Sequence, residues 1–565
     1  MSGTPSKADY WNLITDVFQS GAAPSGWTRL TDTSSNSEYA TNGVIGSAYI
    51  NNTTHQVVIA FGGANTSGAL LGSSSGTLSI AAEQNDLQIL QGSTLVTNNL
   101  SKQGNNFYND VMSSINTYAT QNNFTFTPNA SDVFVTGNSG GGVAAALLAK
   151  ELSYGGATFG TPGIPGLISD PNPSNFISYE NAGDPVGQYG SDTAGANLVS
   201  TITALSNNGT AVPMAHYGTM SVNGSPSETT GLSTVYSDVI SNITTSGTVN
   251  FQNLLGDIGV LGYNTITQHA LPRYNPSPTP PSDNSPGNGD LFIPFILGED
   301  ILGNGATFTA GQNGNGDPTL TGQRGTITVT GTVSANPAGD YLVNYVQQTS
   351  GQPISQQGWV QIADSGQFAT DASVYDTSGL ETSTTIQTGT ASAGTEDTAE
   401  VAFGAGSGGS TTVTVTVLGG STTGYTVSGT PTVDFAMDGA TTAAGQSNAI
   451  LIGGYNGTLT GGSGQNLLLE LGNDGTVDGG SGPLQVVLSG YDETVNASSS
   501  TITLEDSTQA TLTGNSNTIV GGNADTLTVD GTGNTATLGT GAVVTVNGDN
   551  NSLTLGNGIH PVTGS

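Results

Sequence analysis

The stretch Ser131–Lys150, SDVFVTGNSGGGVAAALLAK, decides how the rest of the chain is read. Asp132–Thr136 (DVFVT) is a short apolar run, which predicts a buried strand. Gly142–Leu152 (GVAAALLAKEL) is rich in Ala and Leu and predicts a helix. Between them stands Gly137-Asn138-Ser139-Gly140-Gly141, the G-x-S-x-G spacing in a strand–turn–helix context. Side chains two before and two after a serine on so sharp a turn would collide with neighbouring backbone. The turn lifts the serine hydroxyl clear of the sheet and aims the next N–H at a developing oxyanion, where the helix N-terminus adds positive potential. Ser139 is thus the candidate nucleophile and Gly140 the candidate oxyanion donor.

Working outward, Val57–Gly63 (VVIAFGG), Ala157–Gly163 (ATFGTPG) and Asn175–Gly187 (NFISYENAGDPVG) bracket the elbow in chain order. With it they resemble the lipase class 3 branch of the α/β-hydrolases over residues 1–275: its V-V-x-F-R-G strand, its G-H-S-L-G-G elbow, its F-G-x-P segment and its strand ending in D-P-V. The resemblance implies an α/β-hydrolase domain and a serine ester hydrolase that works through a Ser-His-Asp triad and an acyl-enzyme, with no cofactor. The chain departs from that pattern at Asn138 (usually His), Gly140 (usually Leu), Gly62 (usually Arg) and Ala64, where a Ser or Thr often completes the oxyanion hole. Backbone amides of Gly63 or Ala64 are then the candidates for the second donor.

Asp184, at the end of a predicted strand and before Pro185, fits the chain order serine, acid, histidine. Asp170 and Asp192 compete, but their Pro, Ser and Thr neighbours read as solvated turns. Of four histidines, His55 precedes the serine and His560 lies in the terminal repeats, which leaves His216 and His269. His269, with Tyr274 after it, resembles the family's H-x₄-Y ending and is favoured as the base, with His216 the alternative. Leu70–Leu90 and Ala211–Gly262 are candidate lids or acyl-chain walls.

Composition limits the partners. The 565 residues carry 6 Lys and Arg against 41 Asp and Glu, a net charge of −35, so no basic patch exists for nucleic acid. A small-molecule ester or lipid is the expected partner. There is no Cys, which excludes disulfides and thiol chemistry, and no apolar run long enough for a transmembrane helix. The stretch MSGTPSKADYWNLITDVF lacks the features of a secretory signal. Acidic Gly-rich repeats beside a lipase-like domain resemble bacterial proteins exported by type I secretion, which implies an extracellular enzyme reached by a signal-peptide-independent route.

Downstream of the catalytic domain at 1–275, the Pro-rich run LPRYNPSPTPPSDNSPGNGD opens a linker over 276–317. Alternating segments such as Gly325–Val333 (GTITVTGTV) and Thr411–Leu418 (TTVTVTVL) predict an antiparallel β-sandwich over 318–430. Residues 431–565 repeat: GNSNTIVGG, GTGNTATLG and GDNNSLTLG recur every 17 residues with Asn517, Asn534 and Asn551 at one position, the pattern of a β-solenoid. The calcium nonapeptide G-G-x-G-x-D-x-U-x is only half matched. Asn466 stands in place of its Asp, and Asp525 lies one place early, so a regular calcium ladder is not expected and these two are the only candidate ligands for a structural Ca²⁺. The rival to the enzyme reading is a surface or matrix protein whose hydrolase domain is degenerate.

Overall fold

The computed structural model describes residues 4–17, 22–63, 80–168, 175–207, 209–245, Leu261, His269 and Tyr274, and 291–564 with breaks of one to five residues. The chain divides into two compact units, 1–250 with 260–351, and 251–259 with 352–565.

The first unit is built on a seven-stranded sheet. Its strands are β1 (Trp27–Asp32), β2 (Ile45–Asn51), β3 (Val57–Gly62), β4 (Val133–Asn138), β5 (Gly155–Phe159), β7 (Phe176–Asn181) and β9 (Thr219–Asn223). The order is β1-β2-β3-β4-β5-β7-β9. Strands β1, β2 and β3 pair antiparallel, and from β3 onward every pairing is parallel. The short strands β6 (Ile164–Pro165) and β8 (Met214–Ala215) pair with each other beside it.

Helices cover both faces of this sheet, which is why its central strands are apolar throughout instead of alternating. On one face α1 (Lys7–Val17) packs Tyr10, Leu13 and Ile14 with Val58, Ala60 and Phe134. On the other, Phe61 of β3 meets Phe107 at 5.9 Å on the helix α4 (Thr94–Gln121). The remaining described helices of the unit are α2 (Ser37–Thr41), α3 (Ile80–Leu90), α5 (Ser139–Leu152), α6 (Ala196–Ser206), α7 (Pro226–Thr245) and α8 (Phe292–Leu302).

Half of the expected linker is folded. Within 276–317 lie α8 and β10 (Thr307–Gln312), and β10 continues into an antiparallel run with β11 (Pro318–Arg324), β12 (Ile327–Ala335) and β13 (Tyr341–Thr349). Phe292, Ile293, Phe295 and Ile296 are buried, and Phe295 meets Phe308 edge-on at 5.3 Å. The apolar run LFIPFIL buries too much surface to stay solvated, whatever the Pro-rich segment before it does. The side chain of Gln84 on α3 ties this layer to the sheet domain, accepting from Ala310 N at 2.8 Å and donating to Phe308 O at 3.3 Å.

In the second unit β14 (Ile354–Ile362), β15 (Gln367–Tyr375), β16 (Glu381–Thr390), β17 (Gly394–Ala405), β18 (Ser410–Val417) and β19 (Thr422–Ser428) form an antiparallel meander. From Thr432 the chain winds into two parallel sheets, with strands alternating between them and each pairing with the equivalent strand of the next coil. Among the described residues the expected sandwich is not closed by a second antiparallel sheet. Ile386, Val401, Val413 and Val427 of the meander pack instead on Ile450, Ile452, Leu467 and Leu469 of the coil. Those coil strands, AILIG and NLLLE, are buried along their whole length because both faces are covered. Later strands such as TATL alternate exposed and buried.

Asparagine joins successive coils. Asn534 Oδ1 accepts from Asn517 N at 2.9 Å, and Asn551 Oδ1 accepts from Asn534 N at 2.8 Å. Their amides donate to Gly514 O and Gly531 O at 2.9 and 2.8 Å. Both ends of the buried Asn534 and the half-buried Asn551 side chains are thus satisfied, which a repeating inward polar residue requires.

Candidate active site

Strand β4 ends at Asn138 and α5 begins at Ser139 with no residue between them, so Ser139 takes the whole reversal at φ +51°. A non-glycine residue at positive φ is strained, and such strain persists only where the surroundings enforce it. The outer glycines are forced by contact. A Cβ on Gly137 would lie 2.5 Å from Gly141 O, and one on Gly141 would lie 2.2 Å from Gly62 O. Asn138 crosses to the next strand and donates from Nδ2 to Phe159 O at 3.1 Å.

The turn delivers Ser139 to His269. His269 Nε2 lies 3.0 Å from Ser139 Oγ, while Nδ1 faces Asp184 Oδ2 at 2.9 Å and Oδ1 at 3.1 Å. His269 and Asp184 are fully buried and Ser139 is 5% exposed. Asp184 sits on the turn after β7 and its Oδ1 accepts from Val186 N at 2.8 Å, so the D-P-V segment fixes its own carboxylate. Tyr274 OH donates to Asp184 Oδ2 at 2.5 Å. Burial pushes this carboxyl upward, but the facing His269 ring, its hydrogen bond, Tyr274 and the Gly187 backbone outweigh it and hold Asp184 below the usual aspartate range. Gly160, at φ +55°, leaves room for all three partners. A Cβ there would lie 2.9 Å from Tyr274 OH and 3.1 Å from both Asp184 Oδ2 and His269 Nδ1.

The oxyanion candidates divide. Gly140 opens α5 directly after the nucleophile, where its amide is free of the intrahelical ladder. Gly63 packs its backbone on the serine, since a Cβ there would lie 2.8 Å from Ser139 Cβ. Ala64 lies outside the described residues. The space beside Gly140 is filled by a carboxylate: a Cβ on Gly140 would fall 1.6 Å from Asp86 Oδ1. That explains the glycine, and sequence reading had no signal for Asp86.

His216, the alternative base, is elsewhere. Its Nδ1 is 2.8 Å from Asp192 Oδ1 and its Nε2 is 2.8 Å from Thr161 O and 3.0 Å from Gly187 O, so both nitrogens are committed to acceptors. Asp192 thereby serves His216 and not the nucleophile, and Asp170 lies outside the described residues. His55 stacks on Phe124, and His560 bonds Gly556 O within the last coils. The two calcium candidates are ladder residues: Asn466 Oδ1 accepts from Ala449 N at 3.0 Å and Asp525 Oδ1 accepts from Thr508 N at 3.1 Å. Among the described residues no cluster of three or more His, Asp or Glu side chains is arranged to hold a metal ion.

Beside Ser139 and Gly140 runs a narrow, partly open cleft. Its apolar lining is Leu87, Leu90, Pro162, Val186, Leu291 and Phe292, and Glu83 and Asp86 line it as well. Residues 80–90 of the expected wall Leu70–Leu90 are α3, while 70–79 lie outside the described residues. The described part of Ala211–Gly262 forms β8, β9 and α7 and supplies no lining residue to this cleft. Leu291 and Phe292 come from the stretch read as linker, and only tertiary packing could assign them to the cleft. A hydroxyl hydrogen-bonded to an imidazole that a buried carboxylate orients, next to an unpaired helix-start amide, is equipped for acyl transfer. No protein-family model matches the chain, and no curated protein or solved structure matches it.

Proposed function

We propose that the first unit is a serine carboxylic-ester hydrolase of the α/β-hydrolase type, and the observation that carries the proposal is the Ser139–His269–Asp184 relay on a strained elbow. His269 takes the proton from Ser139 Oγ as the oxygen attacks an ester carbonyl. The Gly140 amide and one from the Gly63 region receive the charge on the carbonyl oxygen. His269 then returns its proton to the departing alcohol, leaving an acyl group on Ser139. Water repeats the sequence, its proton going to His269 and its oxygen to the acyl carbon, and the acid leaves with Ser139 restored. Asp184 holds the ring with Nδ1 protonated and stabilises the imidazolium. Leu87, Leu90, Leu291 and Phe292 suit the acyl chain of a small or lipid ester.

In the same reading the parallel coil is a β-solenoid and the protein acts outside the cell, consistent with its acidic, Cys-free composition. The degenerate-domain alternative gains no support from a site in which hydroxyl, imidazole and carboxylate are each within hydrogen-bond reach of the next. The test is a fluorophosphonate probe followed by mass mapping of the adduct. Labelling confined to Ser139, absent in Ser139→Ala, is expected; folded protein that leaves Ser139 unlabelled would sink the proposal.

A further inference from the structure

Behind the triad acid lies a second carboxyl that the mechanism does not use. Glu180, on β7, is fully buried. Its Oε1 accepts from Ser178 Oγ at 2.8 Å and from Thr161 N at 3.4 Å, and Ser178 Oγ is itself 2.9 Å from Thr158 Oγ1. Its Oε2 has no hydrogen-bond partner among the described residues. This free oxygen is turned toward Asp184. A Cβ built on Gly187 would lie 2.2 Å from Glu180 Oε2 and 2.7 Å from Asp184 Oδ2, so the two oxygens border one Cβ-sized space that only glycine leaves open.

Two carboxyls this close in a dry site cannot both be ionised. The donors decide which one is. Asp184 receives His269 Nδ1, Tyr274 OH and Val186 N. Glu180 receives one hydroxyl and one long amide bond. The charge therefore belongs to Asp184 and the proton to Glu180. The groups around Glu180 act in the same direction. Burial raises its carboxyl well above the usual glutamate range, and the charges of Asp184 and Asp192 raise it further. Ser178 and Thr161 oppose them more weakly, and Tyr274, a neutral phenol, bonds the same Asp184 Oδ2 that borders Glu180. His216 bonds the backbone of Thr161 and Gly187, the segments that border both carboxyls.

We infer that Glu180 is a positioning residue of the triad: it stands beside Asp184 as a neutral acid and leaves the single negative charge of the pocket on the oxygen that orients His269. The inference rests on the ester-hydrolase reading for its catalytic meaning, but not for its test. Ionising Glu180 would place a second charge beside Asp184, and the repulsion would loosen the Asp184–His269 contact. The activity would then fall on the alkaline side for a reason a permanently neutral side chain does not share.

The experiment compares the full-length protein with Glu180→Gln, which keeps shape and neutrality, and with Asp184→Asn. Infrared difference spectra at pH 8, wild type minus Glu180→Gln, should contain the carbonyl band of a protonated carboxyl. In Asp184→Asn that band should weaken at high pH, because the charge that adds to burial in keeping Glu180 protonated has gone. With a p-nitrophenyl ester, Glu180→Gln should keep kcat/KM within about threefold at neutral pH and lose the alkaline decline of the wild type. A difference spectrum without the band, or alkaline limbs that superimpose, overturns the inference. The spectra need no turnover, so a missing band counts against Glu180 while an unlabelled Ser139 counts against the enzyme.

Discussion

His269 Nε2 lies 3.0 Å from Ser139 Oγ although 130 residues of chain separate them. Among four histidines the fold brings this one to the nucleophile, and it does so with the other ring nitrogen already held by Asp184. Everything the protein is expected to do chemically depends on that closure.

Replacing Ser139 by Ala removes the hydroxyl that the proposed reaction uses to form an acyl-enzyme. Ester hydrolysis should fall about 10⁴-fold or more, leaving what oxyanion stabilisation and binding supply. Steady-state kinetics on a p-nitrophenyl ester, with circular dichroism to show that the fold is kept, checks this.

The two candidate bases separate cleanly. His269→Gln should slow fluorophosphonate labelling of Ser139 by at least about 10³-fold, whereas His216→Gln should stay within about tenfold of wild type, since His216 bonds Asp192 and two carbonyls away from the nucleophile. Comparable loss in both variants would contradict the assignment.

Tyr274→Phe deletes one donor to Asp184. Because the native carboxyl is held below its ordinary value, its contribution to stability is present above the ordinary aspartate pKa and is lost as pH falls through the native value. Losing the phenol raises that native value, so acid unfolding followed by circular dichroism should begin at a higher pH in the variant. At neutral pH kcat/KM should drop about tenfold as the His269 ring is less firmly held.

Gly160→Ala would put a methyl 3.1 Å from both Asp184 Oδ2 and His269 Nδ1, on a backbone at φ +55°. Stability should fall by about 1–2 kcal/mol, and kcat/KM by about 10²-fold from displacement of the relay. Thermal unfolding and kinetics on the same sample separate the two effects.

Asp525 gives the opposite sign. Among the described residues its buried Oδ2 has no hydrogen-bond partner, and burial, with smaller pushes from Asp506 and Glu505 against the Thr508 and Gly522 backbone, raises it to about 7. The native state then holds a proton that the unfolded chain has already released, so stability declines as pH rises from about 4 to about 7. Asp525→Asn should raise the unfolding free energy at pH 8 by on the order of 1–3 kcal/mol after solvent screening, seen as a higher Tm, and change little at pH 4. Calorimetry at the two pH values decides it.

Much of this was legible in local patterns. Ser139 could be read because G-x-S-x-G obeys a steric rule that acts over five residues, and the coil could be read because Asn517, Asn534 and Asn551 repeat at a fixed interval. Asp184 was readable from its place at a strand end, and chain order excluded His55 and His560. Local rules went no further with the base: His216 and His269 each sit among small and polar neighbours, and only the path of the chain puts one near Ser139. The same limit hid Glu180, whose meaning lies in an aspartate across a turn and in the absence of a Cβ at Gly187. Leu291 and Phe292 were lost in the Pro-rich run before them, although burial makes them a wall of the cleft. What the sequence determined by itself was what short-range sterics and periodicity dictate: an elbow, strands, helices and a repeating coil. Tertiary structure decided which distant side chains meet in a water-poor pocket, because proximity and desolvation depend on packing between segments that no local pattern encodes.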